Sequence, residues 1–149
     1  MAEALFYHLT ESTLEEALPT LLEKSLERGW RVVVQVGSAE RRDALDQHLW
    51  TWRDDSFLAH GAAHEPFAAR QPVLLTCEDD NLNGAQIRFL VDGVEPPELG
   101  GYERAVFMFD GHDEAQLERA RGHWKAVKAA GHAATYWRQT PDRRWERKA

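Results

Sequence analysis

The sequence predicts an α/β fold, a single Rossmann-like domain over residues 1–149 with a mostly parallel sheet flanked by helices. Three observations lead there. Strand-like and helix-like patterns alternate along the chain, as units of strand, helix and strand require. The strongest strand-like runs, 31–36 and 104–109, are almost continuously apolar, the composition of strands covered on both faces. No repeat, low-complexity tract or composition break divides the 149 residues, a length that suits one domain.

The elements follow in order. Ala4–Leu9 reads as a short strand. Thr13 opens a helix, with Glu16 placed where a capping box needs it. Leu14, Ala17, Leu18, Leu21, Leu22 and Leu26 then recur at helical spacing. Pro19 interrupts that stripe and predicts a kink or a late start; Gly29 ends the helix. After the strand at 31–36, Ser38 caps a second helix running to about Leu49. Residues 51–72 read as irregular, punctuated by Gly61, Pro66 and Pro72. Strands Val73–Thr76 and Ala85–Val91 flank an acidic turn at 78–84. Arg104–Phe109 is the next strand. Asp113 and Gln116 begin the last long helix and Gly131 ends it. Ala133–Trp137 makes a final strand before a basic tail from about residue 140.

No apolar run approaches the roughly 20 residues of a membrane span, so no membrane association is expected. The opening MAEALFYHLT lacks the basic and apolar regions of a signal peptide. Cys77 is the single cysteine and has no partner for an internal disulfide. The expected setting is the reducing cytoplasm.

Enzymatic signatures are weak. A dinucleotide site would need glycines after the first strand, where the chain has Tyr7-His8-Leu9-Thr10-Glu11-Ser12. No phosphate-binding G-x-x-x-x-G-K-[ST] string occurs. His60 and His64 stand four apart, without the further Cys or His that zinc demands. Cys77 follows a strand, where a nucleophile could sit, yet a lone cysteine there reads as a small hydrophobe. Glu78, Asp79 and Asp80 read as solvated carboxylates. No catalytic residue, cofactor or metal ion is expected.

Charge is uneven. Residues 1–118 hold 9 Lys/Arg against 23 Asp/Glu, whereas residues 119–149 hold 9 against 2. The acidic bulk repels a nucleic-acid backbone, while the last fifth attracts something anionic. Within it, Arg121, Lys125 and Lys128 share a helix face, beside an apolar stripe of Leu117, Ala120, Trp124 and Val127. Trp124 falls on the border. Such a face suits an acidic peptide with an apolar anchor, since Arg forks onto a carboxylate and indole supplies apolar area. It equally suits a solvated amphipathic helix with a core tryptophan. A second cluster, Trp50, Trp52 and Phe57, is either core or an exposed partner patch.

The strings LFYHL at 5–9, LLEKSLERGWRVVV at 21–34, ALDQHLWTWRDDSFLAH at 44–60, QPVLLT at 71–76 and RARGHWKAVKAAGH at 119–132 resemble the chi subunit of bacterial DNA polymerase III. The resemblance runs nearly end to end. It implies a non-catalytic accessory subunit of the replicative holoenzyme, Rossmann-like but without a nucleotide site. Such subunits pair with the psi subunit of the clamp loader. They also bind the acidic, phenylalanine-ended C-terminal tail of single-stranded-DNA-binding protein, so that DNA contact is mainly indirect. The family's tail pocket maps onto Arg121, Trp124 and Lys125, with Lys128 beside them. The psi-facing patch maps onto Trp50 and Phe57, and a helicase shares that patch in some members. Two positions depart from the family: Leu117 replaces a lysine, and Asp110 disfavours an anionic tail if it points into the pocket. The alternative that the residues leave open is a small α/β nucleotide-binding or hydrolytic enzyme.

Overall fold

A computed structural model describes residues 2–51, 60–66 and 68–149. The strands are β1 (Glu3–Leu9), β2 (Val32–Gln35), β3 (His60–Ala62), β4 (Val73–Thr76), β5 (Ile87–Leu90), β6 (Arg104–Asp110), β7 (Ala133–Gln139) and β8 (Trp145–Arg147). They form one eight-stranded sheet in the order β3-β4-β2-β5-β6-β1-β7-β8. Every neighbouring pair is parallel except β7 and β8. The α/β class and the mostly parallel sheet therefore match expectation. The strand order is not the 3-2-1-4-5-6 of the dinucleotide-binding fold, because β1 lies between β6 and β7.

Helices cover both faces. On one, α1 (Leu14–Glu27) and α2 (Ala39–Thr51) bring Leu18, Leu22, Leu45 and Leu49 onto Leu5, Leu9, Val34 and Val106. On the other, α3 (Glu114–Ala129) sets Ala120 and Val127 against Phe6, Val33, Phe107 and Phe109. Strands β2, β4 and β5 are buried along their whole length, which is why they read as largely apolar runs, with Arg88 of β5 the charged exception. Among the described residues no helix is long and apolar enough to cross a membrane.

Two segments differ from the sequence reading. Residues 51–72 are not wholly irregular, since His60–Ala62 pairs in parallel with β4. Three residues without a branched side chain carry no strand signature. Beyond residue 140, Trp145–Arg147 pairs antiparallel with β7, so Ala133–Gln139 is not the last strand. A three-residue edge strand with one apolar side chain, Trp145, beside two charged ones is too short to show an alternating pattern.

Helix α1 starts at Leu14, so Pro19 delays nothing. Thr13 Oγ1 accepts from the Glu16 amide at 3.2 Å, and Glu16 Oε1 accepts from the Thr13 amide at 3.1 Å, the reciprocal box expected. Both long helices close on a left-handed glycine, Gly29 at φ +82° and Gly131 at φ +87°. Pro19 lacks the N–H that would pair with the Glu15 carbonyl. His48 of α2 takes that place, its Nε2 2.7 Å from Glu15 O. The imidazole thus repairs the gap that proline leaves.

The largest fully buried side chain is Arg88 of β5. All its N–H groups are used: Nε and Nη2 donate to Gln35 Oε1, Nη2 to Glu78 O, and Nη1 to Asp80 O and Tyr102 Oη. The acidic turn is thereby anchored through its carbonyls.

A mutant cycle tests the repair of α1. His48→Ala should cost about 0.5–1.5 kcal/mol, the net worth of a part-buried hydrogen bond. In a Pro19→Ala background, where the backbone supplies the missing N–H, the same change should cost clearly less. Equal losses in urea denaturation of both backgrounds would contradict the pairing.

Candidate functional site: an aromatic groove with a basic rim

The pleat of β1 sends Ala4, Phe6 and His8 toward α3. His8 is paired in register with Phe109 of β6, and Phe6 with Tyr136 of β7. Helix α3 crosses this face without covering all of it. Beside it lies an open groove of about 430 Å³. Its floor is His8, Phe109 and Tyr136; its helical wall is Leu117, Ala120, Arg121, Trp124 and Lys125; Ala149 closes the far side.

The aromatic floor is rigidly built. Phe6 stacks on Phe107 at 4.4 Å, and Trp124 meets Phe6 edge-on at 5.3 Å and Tyr136 at 6.0 Å. Phe109 lies 6.0 Å from Tyr136 and 5.2 Å from His8. Trp124 is half-buried, so it serves both the core and the groove. Lys128 Nζ sits 5.0 Å from the centre of the Trp124 ring, a cation–π contact at the border. Arg121 and Lys125 are exposed, and neither makes an ion pair among the described residues.

The one polar pair on the floor is His8 Nδ1 and Tyr136 Oη, 2.6 Å apart. Burial holds the His8 imidazole below its ordinary value; Arg138 and His112 push the same way and Asp110 opposes. Burial raises the Tyr136 phenol, against the pull of Arg138 and Arg121. At neutral pH the floor is therefore uncharged under a positive rim. Gly111 fixes the imidazole, since a Cβ there would overlap His8 Nε2 and lie 2.7 Å from Leu9 O.

The structure thus gathers Arg121, Trp124 and Lys125 around one groove, with Lys128 stacked behind. Sequence reading missed His8, Phe109 and Tyr136, which join the groove only through sheet register. Asp110 does not line it. That carboxylate follows Phe109 on β6, points to the other side and accepts from the His112 amide at 2.8 Å. Leu117 adds apolar wall where a cation would have stood. Trp50, at the end of α2, is 50% exposed with its ring 4.5 Å from His60. Phe57 lies outside the described residues.

Cys77, Asp80 and His60 have structural partners. Cys77 is half-buried, with Sγ 4.0 Å from Arg42 Nη1. Asp80 Oδ1 accepts from Thr76. His60 is buried with Nε2 3.1 Å from Asp46 Oδ1, whereas His64 is exposed. A cleft of about 400 Å³ does open at the carboxyl ends of β1 and β6, where α/β folds hold nucleotides. Glu11, Glu15, Asp92 and Asp110 line it. Its Arg41 is committed to Asp92 at 3.0 Å and Glu15 at 3.1 Å. That chemistry repels polyphosphate.

Comparison with known proteins gives the family. Residues 1–135 match the family model described as DNA polymerase III chi subunit, HolC. The chain belongs to that family. A relative in Rickettsia prowazekii (strain Madrid E), described as a probable DNA polymerase III subunit chi, is 26% identical over 91 residues. That match covers 61% of this chain and 55% of the relative, so the chain spans little more than half the relative's length. In this chi-family member, the match to the family model takes in all of α3 and the groove residues up to residue 135. Tyr136 and the β8 strand lie beyond it.

The His8 site has a pH signature. Because folding lowers the imidazole, the unfolded chain takes its proton first as pH falls. The stability His8 contributes is complete above about pH 6.5 and is lost as pH drops through the folded value. His8→Gln, which keeps a partner for Tyr136, should make the acid-side loss of stability shallower. An unchanged slope in denaturation at stepped pH would contradict this assignment.

Proposed function

We propose that the chain is a non-catalytic accessory subunit of the replicative DNA polymerase in the cytoplasm. It joins the clamp loader, through psi, to the C-terminal tail of single-stranded-DNA-binding protein. The observation that carries this reading is the groove itself: an uncharged aromatic floor beneath Arg121 and Lys125, neither spent on an internal ion pair. A terminal phenylalanine fits against Phe109, Trp124 and Tyr136, where buried aromatic contacts dominate affinity. Its carboxylate meets the planar fork of Arg121, and preceding acidic residues meet Lys125 and Lys128. DNA is then reached through the tail's owner.

The exposed indole of Trp50 supports a partner patch for psi, or for a helicase, at a different place. Trp50 lies near β3 at one edge of the sheet, and the groove lies over β1, β6 and β7 toward the other. Two partners could be held at once without contact between their sites.

Arg121→Ala should weaken binding of an acidic, phenylalanine-ended peptide by about 1.5–3 kcal/mol, the range for hydrogen bonds to charged groups. Its melting temperature should hardly move, because the guanidinium is exposed. Trp50→Ala should leave peptide affinity intact and remove the other partner. Calorimetric titration of both variants checks this, and unchanged affinity in Arg121→Ala would count decisively against the groove.

A further inference from the structure

The opposite face of the same sheet edge carries a second opening. Between α1 and the sheet lies a cavity of about 200 Å³ lined by Tyr7, Lys24, Arg28, Arg104 and Trp145, over a base of Ile87 and Phe89. It belongs to neither the tail groove nor the Trp50 patch. What distinguishes it is that several donors converge there, with the half-exposed Glu3 carboxylate as the one charged acceptor beside them among the described residues.

Arg104 Nε is buried and has no hydrogen-bond partner. Its guanidinium reaches only the half-exposed Glu3, at 3.4 Å. The Tyr7 hydroxyl makes no hydrogen bond among the described residues. Neither Lys24 nor Arg28 makes an ion pair there. Two of the cations are also held close to one ring: Arg28 Cζ lies 4.3 Å and Arg104 Cζ 5.4 Å from the Trp30 centroid. Like charges gathered in this way repel, and a buried N–H without an acceptor costs further free energy. An anion in the cavity relieves both.

We propose that this cavity is a second anion site, which receives a carboxylate side chain from an acidic segment of a protein partner. Charge complementarity selects the chemistry: a buried Nε–H, a free phenol, a guanidinium and an ammonium all donate, and carboxylate is acceptor-only. Size selects the source. About 200 Å³ accommodates one side chain, and is below the roughly 300 Å³ at which small-molecule sites begin. The Tyr7 and Trp145 rings, 4.6 Å apart, offer an apolar shelf for the rest of the segment. The net charge of −7 on the whole chain works against a polyanionic nucleic acid and less against a short peptide.

The probe is hexaglutamate with an amidated C-terminus, titrated into the full chain while the side-chain N–H signal of Arg104 is followed by NMR. The expected result is a saturable shift of that signal. Lys24→Gln with Arg28→Gln should weaken it about five- to tenfold, as the loss of two partly exposed charge contacts predicts. Both substituted side chains are exposed, so the fold should persist, and an amide spectrum verifies it. Arg121→Ala should leave this titration unchanged, which separates the site from the groove. No shift at Arg104, or equal affinity in the double variant, would overturn the proposal. So would complete displacement by equimolar inorganic phosphate, which marks a free-anion site, or tighter binding of oligothymidine, which marks a nucleic-acid site.

Discussion

Strand β1 is hydrogen-bonded on both sides, to β6 and to β7, in continuous parallel register. Its pleat sends successive side chains to opposite faces. Tyr7 therefore lines the cavity under α1, and His8 lines the groove beside α3. A slip of one residue would exchange the two faces and place an imidazole among the cations. Both openings depend on that single register. Gln139 helps to hold it, because its Oε1 accepts from the amides of Thr10, Glu11 and Ser12 directly after β1.

Coverage of the sheet explains why the openings sit where they do. Leucines of α1 and α2 close one face over β1, β2, β4 and β6, and α3 closes part of the other over β6, β1 and β7. Toward β8 the helices give out. Tyr136, Trp137 and Trp145 are left half-buried, too apolar to be ordinary surface and too open to be core. The buried Arg88 stabilises the other half of the sheet. Its guanidinium is satisfied by Gln35, Tyr102 and main-chain carbonyls, which compensate its desolvation without a carboxylate partner.

Much of this was legible in the sequence because local chemistry wrote it there. The capping box at Thr13, the glycines that end α1 and α3, and the apolar runs of β2, β4 and β6 each express one local rule. The basic face of α3 was equally plain, since helical spacing alone brings Arg121, Lys125 and Lys128 together. What stayed hidden was non-local. His8, Phe109 and Tyr136 lie on three strands far apart in the chain, and only sheet order makes them neighbours. Strand β3 was hidden for a different reason: His60–Ala62 pairs through its backbone, which has no signature in side-chain type. The partner of Pro19 was hidden as well, for nothing at His48 announces a contact with Glu15.

Charge gives the molecule its direction. An acidic body with a basic final fifth repels nucleic acid broadly and attracts short acidic segments locally. Photo-crosslinking tests the groove most directly, with an acidic peptide whose last side chain is a benzophenone in place of phenylalanine. Mass spectrometry should place the adduct on Phe109, Trp124 or Tyr136. Adducts confined to Trp50, or spread over α1 with none on α3 or β7, would contradict the assignment.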